Sequence, residues 1–272
     1  MSRLSTLGRP LIDALRSAQG LVLVVTGAGI SVASGIKTFR GSEPDAVWRQ
    51  NDVANATVAS FERDPVGQLD WYLDRFAAVD DAVPNAGHLA LADLELQRAE
   101  RDLPYLLVTQ NIDTLHEQAG SRNLIKVHGS ADRLRCGRYG CRLGAPSGSL
   151  SRSRVDLETF RRSPEDATLP RCPECGSPLR AHVLFFDEYY TEHDDYRFPE
   201  VEQAAAEAVL MLFVGTSFAV GVTSLLLEAG ARRRQPMFSI DPVGTRLPAS
   251  IPVESLTAPA EELLPVVVLG AG

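Results

Sequence analysis

Leu21-Val-Leu-Val-Val-Thr26-Gly27-Ala-Gly-Ile-Ser31 decides how this chain is read. Leu21 to Val25 is an apolar, β-branched run that stops at small residues. It reads as the first strand of a parallel sheet, delivering its loop to a dinucleotide. Gly27 and Gly29 let backbone approach a pyrophosphate, whose charge is welcome at the start of a following helix. A plain tight turn is the competing reading of the same residues. The G-x-G-x-x-G of a hydride-transfer dehydrogenase is not completed, because Val32 holds the third position. Downstream come Ser34-Gly35-Ile36 and Phe39-Arg40-Gly41, so the loop carries a hydroxyl (Ser31), an aromatic (Phe39) and a cation (Arg40). These suit a dinucleotide held for cleavage at its far end.

The chain has 272 residues, enough for one large domain with or without a small one. It is 44% hydrophobic and 23% charged, the balance of an ordinary soluble globular protein. A net charge of −8 argues against nucleic acid as the main partner and tolerates basic, lysine-bearing peptides. Arginine carries nearly all the positive charge; Lys37 and Lys126 are the only lysines. No apolar run approaches the roughly 20 residues that cross a bilayer, and Met1 to Pro10 lacks a signal core. The expectation is a cytoplasmic protein without a membrane partner. In that reducing setting cysteines are metal ligands before they are disulfides.

Periodicity places a helix at Leu11–Ala18, helical character from Ala46 to Ala78 anchored by Phe61, Trp71, Tyr72 and Phe76, and a helix at His88–Arg98. Short strands are expected at Tyr105–Thr109 and Asn123–Val127, with a helix through Leu115–Ala119 between them. Apolar runs return at His182–Phe186, Val209–Val214 and Pro236–Ile240. Strands alternating with helices, ending in Gly, Ser, Asn, His or Asp, predict an α/β doubly wound parallel sheet with its ligand across the C-terminal edge. Between Cys136 and Pro178 the apolar periodicity fades and Arg, Ser, Gly and Pro rise, which marks a small inserted module. The division expected is residues 1–41, 81–132 and 180–272 in the large domain. Residues 42–80, helical, and 133–179, metal-binding, form the small one.

Four residues separate Cys136 from Cys141, two separate Cys172 from Cys175, and thirty lie between the pairs. Each pair puts two thiolates on one tight turn, and two turns complete a tetrahedral Zn²⁺ site. With sulfur in all four positions the metal is structural and activates no water.

Gln110-Asn111-Ile112-Asp113 follows a predicted strand at the sheet edge. Helix capping is the plain reading of Asn111 and Asp113; the functional one is an amide and a carboxylate converging on ribose hydroxyls and a carboxamide. His128 closes the next strand before Gly129. A lone strand-end histidine is commonly structural, but on this edge its near-neutral pKa suits a general base.

Together, Gly27-Ala-Gly-Ile-Ser31, Ser34-Gly-Ile36, Phe39-Arg-Gly41, Thr109-Gln-Asn-Ile-Asp113 with Leu115-His116, His128-Gly129, the cysteine pairs and Gly215-Thr-Ser217 resemble the sirtuin family in order and type, from about Ala14 onward. The resemblance implies a Rossmann-like NAD-binding sheet, an inserted zinc-binding and helical module, and NAD-dependent removal of acyl groups from protein lysines. NAD would be consumed as a co-substrate, giving nicotinamide and O-acyl-ADP-ribose. It implies that Gly27, Ala28, Gly29 and Ser31 hold the pyrophosphate and that Phe39 and Arg40 lie near the nicotinamide ribose and diphosphate. Gln110 would contact ribose, while Asn111, Ile112 and Asp113 form the nicotinamide pocket. Gly215, Thr216 and Ser217 belong to the cofactor site, and Asp241, in place of asparagine, lies near the adenosine ribose. His128 would be the catalytic base, assisted by Asn111.

Tyr72 and Arg75, three apart on a helical stretch, match a pair that in one sirtuin subgroup faces succinyl and malonyl carboxylates; an ordinary amphipathic pair is the alternative. Val183, Phe186, Asp187 and Glu188 fall in the run that pairs with substrate peptide by strand addition. There Ala181 replaces proline and Asp187 replaces glycine, a change expected to favour basic peptides. Lys37 and Gly221-Val222 also depart from the pattern, the latter where the family has a residue followed by proline. Rival readings are an NAD glycohydrolase or mono-ADP-ribosyltransferase on the same scaffold, and a non-catalytic NAD-sensing module.

Overall fold

The strand read from residue 21 onward lies at the centre of the molecule. The computed structural model describes residues 3–37, 53–219, 221–244, 247 and 251–272. Its described strands form two sheets. The larger joins β1 (Val22–Thr26), β2 (Tyr105–Thr109) and β3 (Leu124–Lys126) to β7 (Leu210–Val214), β8 (Met237–Ile240) and β9 (Glu254–Leu256), in the order β3-β2-β1-β7-β8-β9. Every pairing in it is parallel. The smaller sheet is antiparallel, with β4 (Gly129–Cys136) between β5 (Leu150–Ser151) and β6 (Leu179–Val183).

Alternation along β1 explains why it reads as a continuous apolar run. Val22 and Val24 enter one core, with residues of α2 (Arg9–Ser17), α5 (Ala86–Glu100) and α10 (Ala260–Ala271); α1 (Arg3–Leu7) precedes them. Leu23 and Val25 enter a second core, with α8 (Phe198–Glu207) and α9 (Gly221–Arg233). Both faces are covered, so no polar residue is tolerated until Thr26. Strand order reverses between β1 and β7, and the carboxyl ends of these two strands open the crevice where such sheets bind ligands.

The smaller lobe packs α3 (Val58–Arg63), α4 (Pro65–Asp80) and α7 (Leu157–Arg162) on the antiparallel sheet. Its core includes Phe61, Leu69, Tyr72, Phe76, Leu134, Phe160 and Phe185. Asn85 caps α5, and α6 (Leu115–Ala119) follows the Gln110–Asp113 corner.

Three expectations are corrected. The run at 182–186 is not a strand of the main sheet: its strand is Leu179–Val183, paired with β4 in the small one. The glycine loop continues as a 3₁₀ turn over Ala28–Ser34, closed by Gly35 at φ +87°, and not as an α-helix. The polar-apolar mixture Gly129–Cys136 is a strand that runs across residue 133, so His128 at the sheet edge and Cys136 of the metal module lie at the two ends of one element. Among the described residues no helix is long and apolar enough to cross a membrane.

Candidate active site

The crevice is built by two loops that touch. The Gly29 N–H donates to the Gly215 carbonyl at 2.8 Å, and Gly27 N–H to the Val214 carbonyl at 3.0 Å. A Cβ on Gly29 would lie 2.6 Å from the Gly215 Cα, and one on Gly215, where φ is +59°, would lie 2.4 Å from the Ile30 nitrogen. The glycines thus let the loop after β1 cross the loop after β7, in addition to clearing space for a ligand. The turn expected from the sequence is real, and its tightness serves loop-to-loop contact first. Ala28 opens the 3₁₀ turn, Thr216 is buried and Ser217 exposed beside it. Asp241, just past β8, is partly buried; burial raises its pKa, while the Val243 N–H on Oδ1 at 2.9 Å opposes that rise. Phe39 and Arg40 lie outside the described residues.

Behind this loop Ser31, Asn111 and Asp113 form one hydrogen-bonded corner. Ser31 Oγ donates to Asp113 Oδ2 at 3.0 Å and accepts from Asn111 Nδ2 at 3.1 Å. Asn111 Nδ2 also reaches the Gly27 carbonyl at 3.2 Å, and Asp113 Oδ1 accepts the Leu115 N–H at 3.1 Å. Convergence is therefore present, while the N-cap position of α6, Thr114, makes no side-chain cap; Asp113 takes the Leu115 N–H with one oxygen and holds Ser31 with the other. Burial raises the Asp113 pKa, opposed by the Leu115 and Ser31 hydrogen bonds and by the charge of Lys126. Ile112 is partly exposed, and its carbonyl holds the Ala131 N–H at 2.8 Å. Beneath the corner lies a pair the sequence reading passed over. His88 and His116 meet edge-on at 4.8 Å, with His116 Nε2 2.9 Å from Thr26 Oγ1.

Gln110 and His128 close the other side. The Gln110 amide donates to the Thr26 carbonyl at 3.3 Å and to Thr216 Oγ1 at 3.1 Å, bridging the ends of β1 and β7. The Gln110 carbonyl lies 2.7 Å from His128 Nδ1. A carbonyl only accepts, so Nδ1 carries the proton and Nε2 keeps its lone pair. Burial pushes the His128 pKa down to about 4, against the upward pull of that carbonyl, so the ring is neutral near pH 7. Gly129 makes the placement possible: at φ +81°, a Cβ there would sit 2.1 Å from the His182 carbonyl oxygen of β6. A neutral imidazole with one fixed tautomer and a free lone pair can take a proton. Tyr190, which sequence reasoning missed, stands 3.3 Å from that Nε2.

The residues expected to contact a peptide are arranged differently from the expectation. Glu188 is not presented outward. It accepts from Arg180 at 2.7 and 2.9 Å, from Arg135 at 2.5 Å and from the Phe185 N–H at 2.8 Å. Burial favours its neutral form, but Arg180 and Arg135 prevail and hold its pKa down. Asp187 Oδ1 takes the Val58 N–H at 2.8 Å, so its charge anchors the start of α3. Val183 is buried, and of the four only Phe186 exposes a large apolar side chain, at 43%. Tyr72 is buried and stacked on Phe185 at 5.6 Å, while the Arg75 guanidinium lies over Trp71 at 3.6 Å.

At the far end of β4 the four cysteines gather with no disulfide between them. The Cys136–Cys175 and Cys141–Cys172 sulfurs are 3.5 and 3.7 Å apart, and all four lie within 4.8 Å of one another. Tetrahedral Zn–S bonds of about 2.3 Å require sulfurs about 3.8 Å apart, so the set fits a structural zinc ion. A second cluster, His182, His193 and Asp195, is a hydrogen-bonded network. His193 donates to the Gly148 carbonyl at 3.0 Å and accepts the Asp195 N–H at 3.1 Å, so neither of its nitrogens is left for a metal.

The Sir2 family model matches residues 27–222. An NAD-dependent protein deacylase of Thermus thermophilus is 39% identical over 218 residues, 80% of this chain and 75% of that one. The NAD-dependent protein deacylase 1 of Pseudomonas aeruginosa is 38% identical over 261 residues, covering 94% and 96%. A solved Sir2 homologue–NAD complex superposes with a TM-score of 0.76 at 30% identity, over 97% of this chain and 93% of the other. The glycine loop, the amide-carboxylate corner and the strand-end histidine all fall within the matched span, and the chain belongs to the Sir2 family.

Proposed function

We propose that the protein is an NAD-dependent protein lysine deacylase that transfers the acyl group of an acyl-lysine to ADP-ribose and releases nicotinamide. The observation that carries this reading is the neutral His128 imidazole, its Nδ1–H fixed on Gln110, beside the Ser31–Asn111–Asp113 corner at the switch point of the sheet. The activities of the relatives and the NAD-bound family structure support it.

In this reading Gly27, Ala28, Gly29 and Ser31, with Gly215, Thr216 and Ser217, cradle the NAD diphosphate. Phe39 and Arg40 assist, on the strength of the sequence. Asn111, Ile112 and Asp113 hold the carboxamide of nicotinamide, and Asp241 accepts from the adenosine ribose. Gln110 orders the ribose side and fixes the base. His128 Nε2 takes a proton from a ribose hydroxyl. Fixed dipoles around the glycosidic bond stabilise the positive charge that develops as nicotinamide leaves. Zinc on Cys136, Cys141, Cys172 and Cys175 supplies structure only, and free thiols at this spacing suit a reducing compartment.

Acylated lysines in proteins or peptides are the substrate class, with acetyl as the default chain. Tyr72 and Arg75 extend the range to succinyl or malonyl groups if Arg75 leaves Trp71 to meet the carboxylate. Large and small domains divide near residues 41 and 80 and along the antiparallel sheet, whose β4 runs across residue 133. Mass spectrometry of products from acetyl-, malonyl- and succinyl-lysine peptides with NAD tests the proposal. Equal amounts of nicotinamide, free lysine peptide and acyl-ADP-ribose are expected. Nicotinamide release that needs no acyl peptide would instead support a glycohydrolase.

A further inference from the structure

Tyr190 makes a contact that the role of His128 as base does not require. Its ring lies close to parallel with the imidazole, centroids 5.8 Å apart at 22°, and it also stacks on Phe198 at 4.6 Å and 12°. The two neighbours fix where the hydroxyl sits, 3.3 Å from Nε2. Val222, in the first turn of α9, bears on the same hydroxyl: its backbone N–H lowers the Tyr190 pKa, against the rise that burial causes. Position 222 is one where the chain departs from the family pattern of proline, and proline has no N–H to give. Gly221 lies alongside: a Cβ there would be 3.7 Å from Tyr190 Cε2.

The direction of the hydrogen-bond chain follows from these partners. Nδ1–H goes to the Gln110 carbonyl, so Nε2 only accepts. The Tyr190 hydroxyl, 3.3 Å away, is therefore the donor.

We infer that Tyr190 is a positioning residue for His128: held by its stack on Phe198, its hydroxyl holds the Nε2 lone pair in the resting enzyme and yields it to the substrate hydroxyl. This rests on the reading of His128 as base. In the transfer step the substrate O–H breaks and an N–H forms at Nε2. Tyr190 keeps its own proton and turns its O–H away. Among the described residues, the groups facing His128 are the Gln110 carbonyl and this hydroxyl, and no charged side chain contributes to its titration.

The test is an NMR titration of the His128 ring in the full chain without NAD, alongside kcat/KM against pH. Tyr190→Phe keeps the stack and removes the donor to the neutral ring, so the His128 pKa rises by about half to one unit. The acid limb of kcat/KM moves up with it. A His128 pKa unmoved or lowered in Tyr190→Phe, while His128→Ala abolishes turnover, overturns this inference alone. Full turnover by His128→Ala overturns the base and the positioning residue together.

Discussion

Ser31 has two duties: its hydroxyl donates to Asp113 and accepts from Asn111 inside a corner that is all but closed to solvent. Ser31→Ala leaves a buried carboxylate and a buried amide each one partner short. It should lower stability by about 1–3 kcal/mol and weaken NAD binding, read by urea unfolding and calorimetry; a variant as stable as the parent contradicts the geometry. Glu188 carries a different prediction. It sits between two buried guanidiniums, so Glu188→Gln should cost about 3–5 kcal/mol of stability before it alters peptide KM. A selective KM effect in a protein of unchanged stability would restore it as a direct peptide contact. Arg75→Met should reduce turnover of succinyl-lysine peptide far more than of acetyl-lysine peptide; equal losses remove the carboxylate clamp. These charged residues were the least legible from sequence. Asp187 and Glu188 read as part of the peptide-pairing run because a run of types says nothing about which carboxylate meets an arginine 53 residues upstream and which caps a helix. Tyr190 gave no signal at all, since its partners come from three separated segments.

At the scale of elements, what could be read was what local periodicity and turn chemistry dictate. Tyr105–Thr109 and Leu115–Ala119 are the strand and helix expected, and β1 differs from its expected span by one residue. The antiparallel sheet was harder. β4 carries Asp132, Arg133 and Arg135 among small and apolar residues, and its burial comes from β6 and the ion pairs, not from an alternating pattern. The cysteine module was legible because four sulfurs at this spacing have few other uses. Cys172→Ser should abolish zinc retention and lower the melting temperature, with elemental analysis giving about one zinc per parent chain; a metal-free parent of equal stability contradicts a structural zinc.

Across the whole molecule, acid should act mainly through histidine. All five histidines of the chain have pKa values lowered, first by burial; for His88, His128 and His182 the values fall to about 4. The unfolded chain therefore binds more protons than the folded one between pH 4 and 6.5, and stability drops as pH falls through that window. Asp195, held down to about 2, first by its hydrogen bond to His182, adds to the loss at still lower pH, and Asp113, raised by burial, opposes it. Denaturation at a series of pH values should show a plateau above about pH 6.5 and a steep decline below. The same neutrality is what lets His128 serve as a base, so fold and chemistry share one requirement. The most direct measurement pairs NAD calorimetry with single-turnover deacetylation in His128→Ala. NAD affinity near that of the parent, with turnover reduced by about 10²-fold or more, is the predicted result; undiminished turnover would contradict the account.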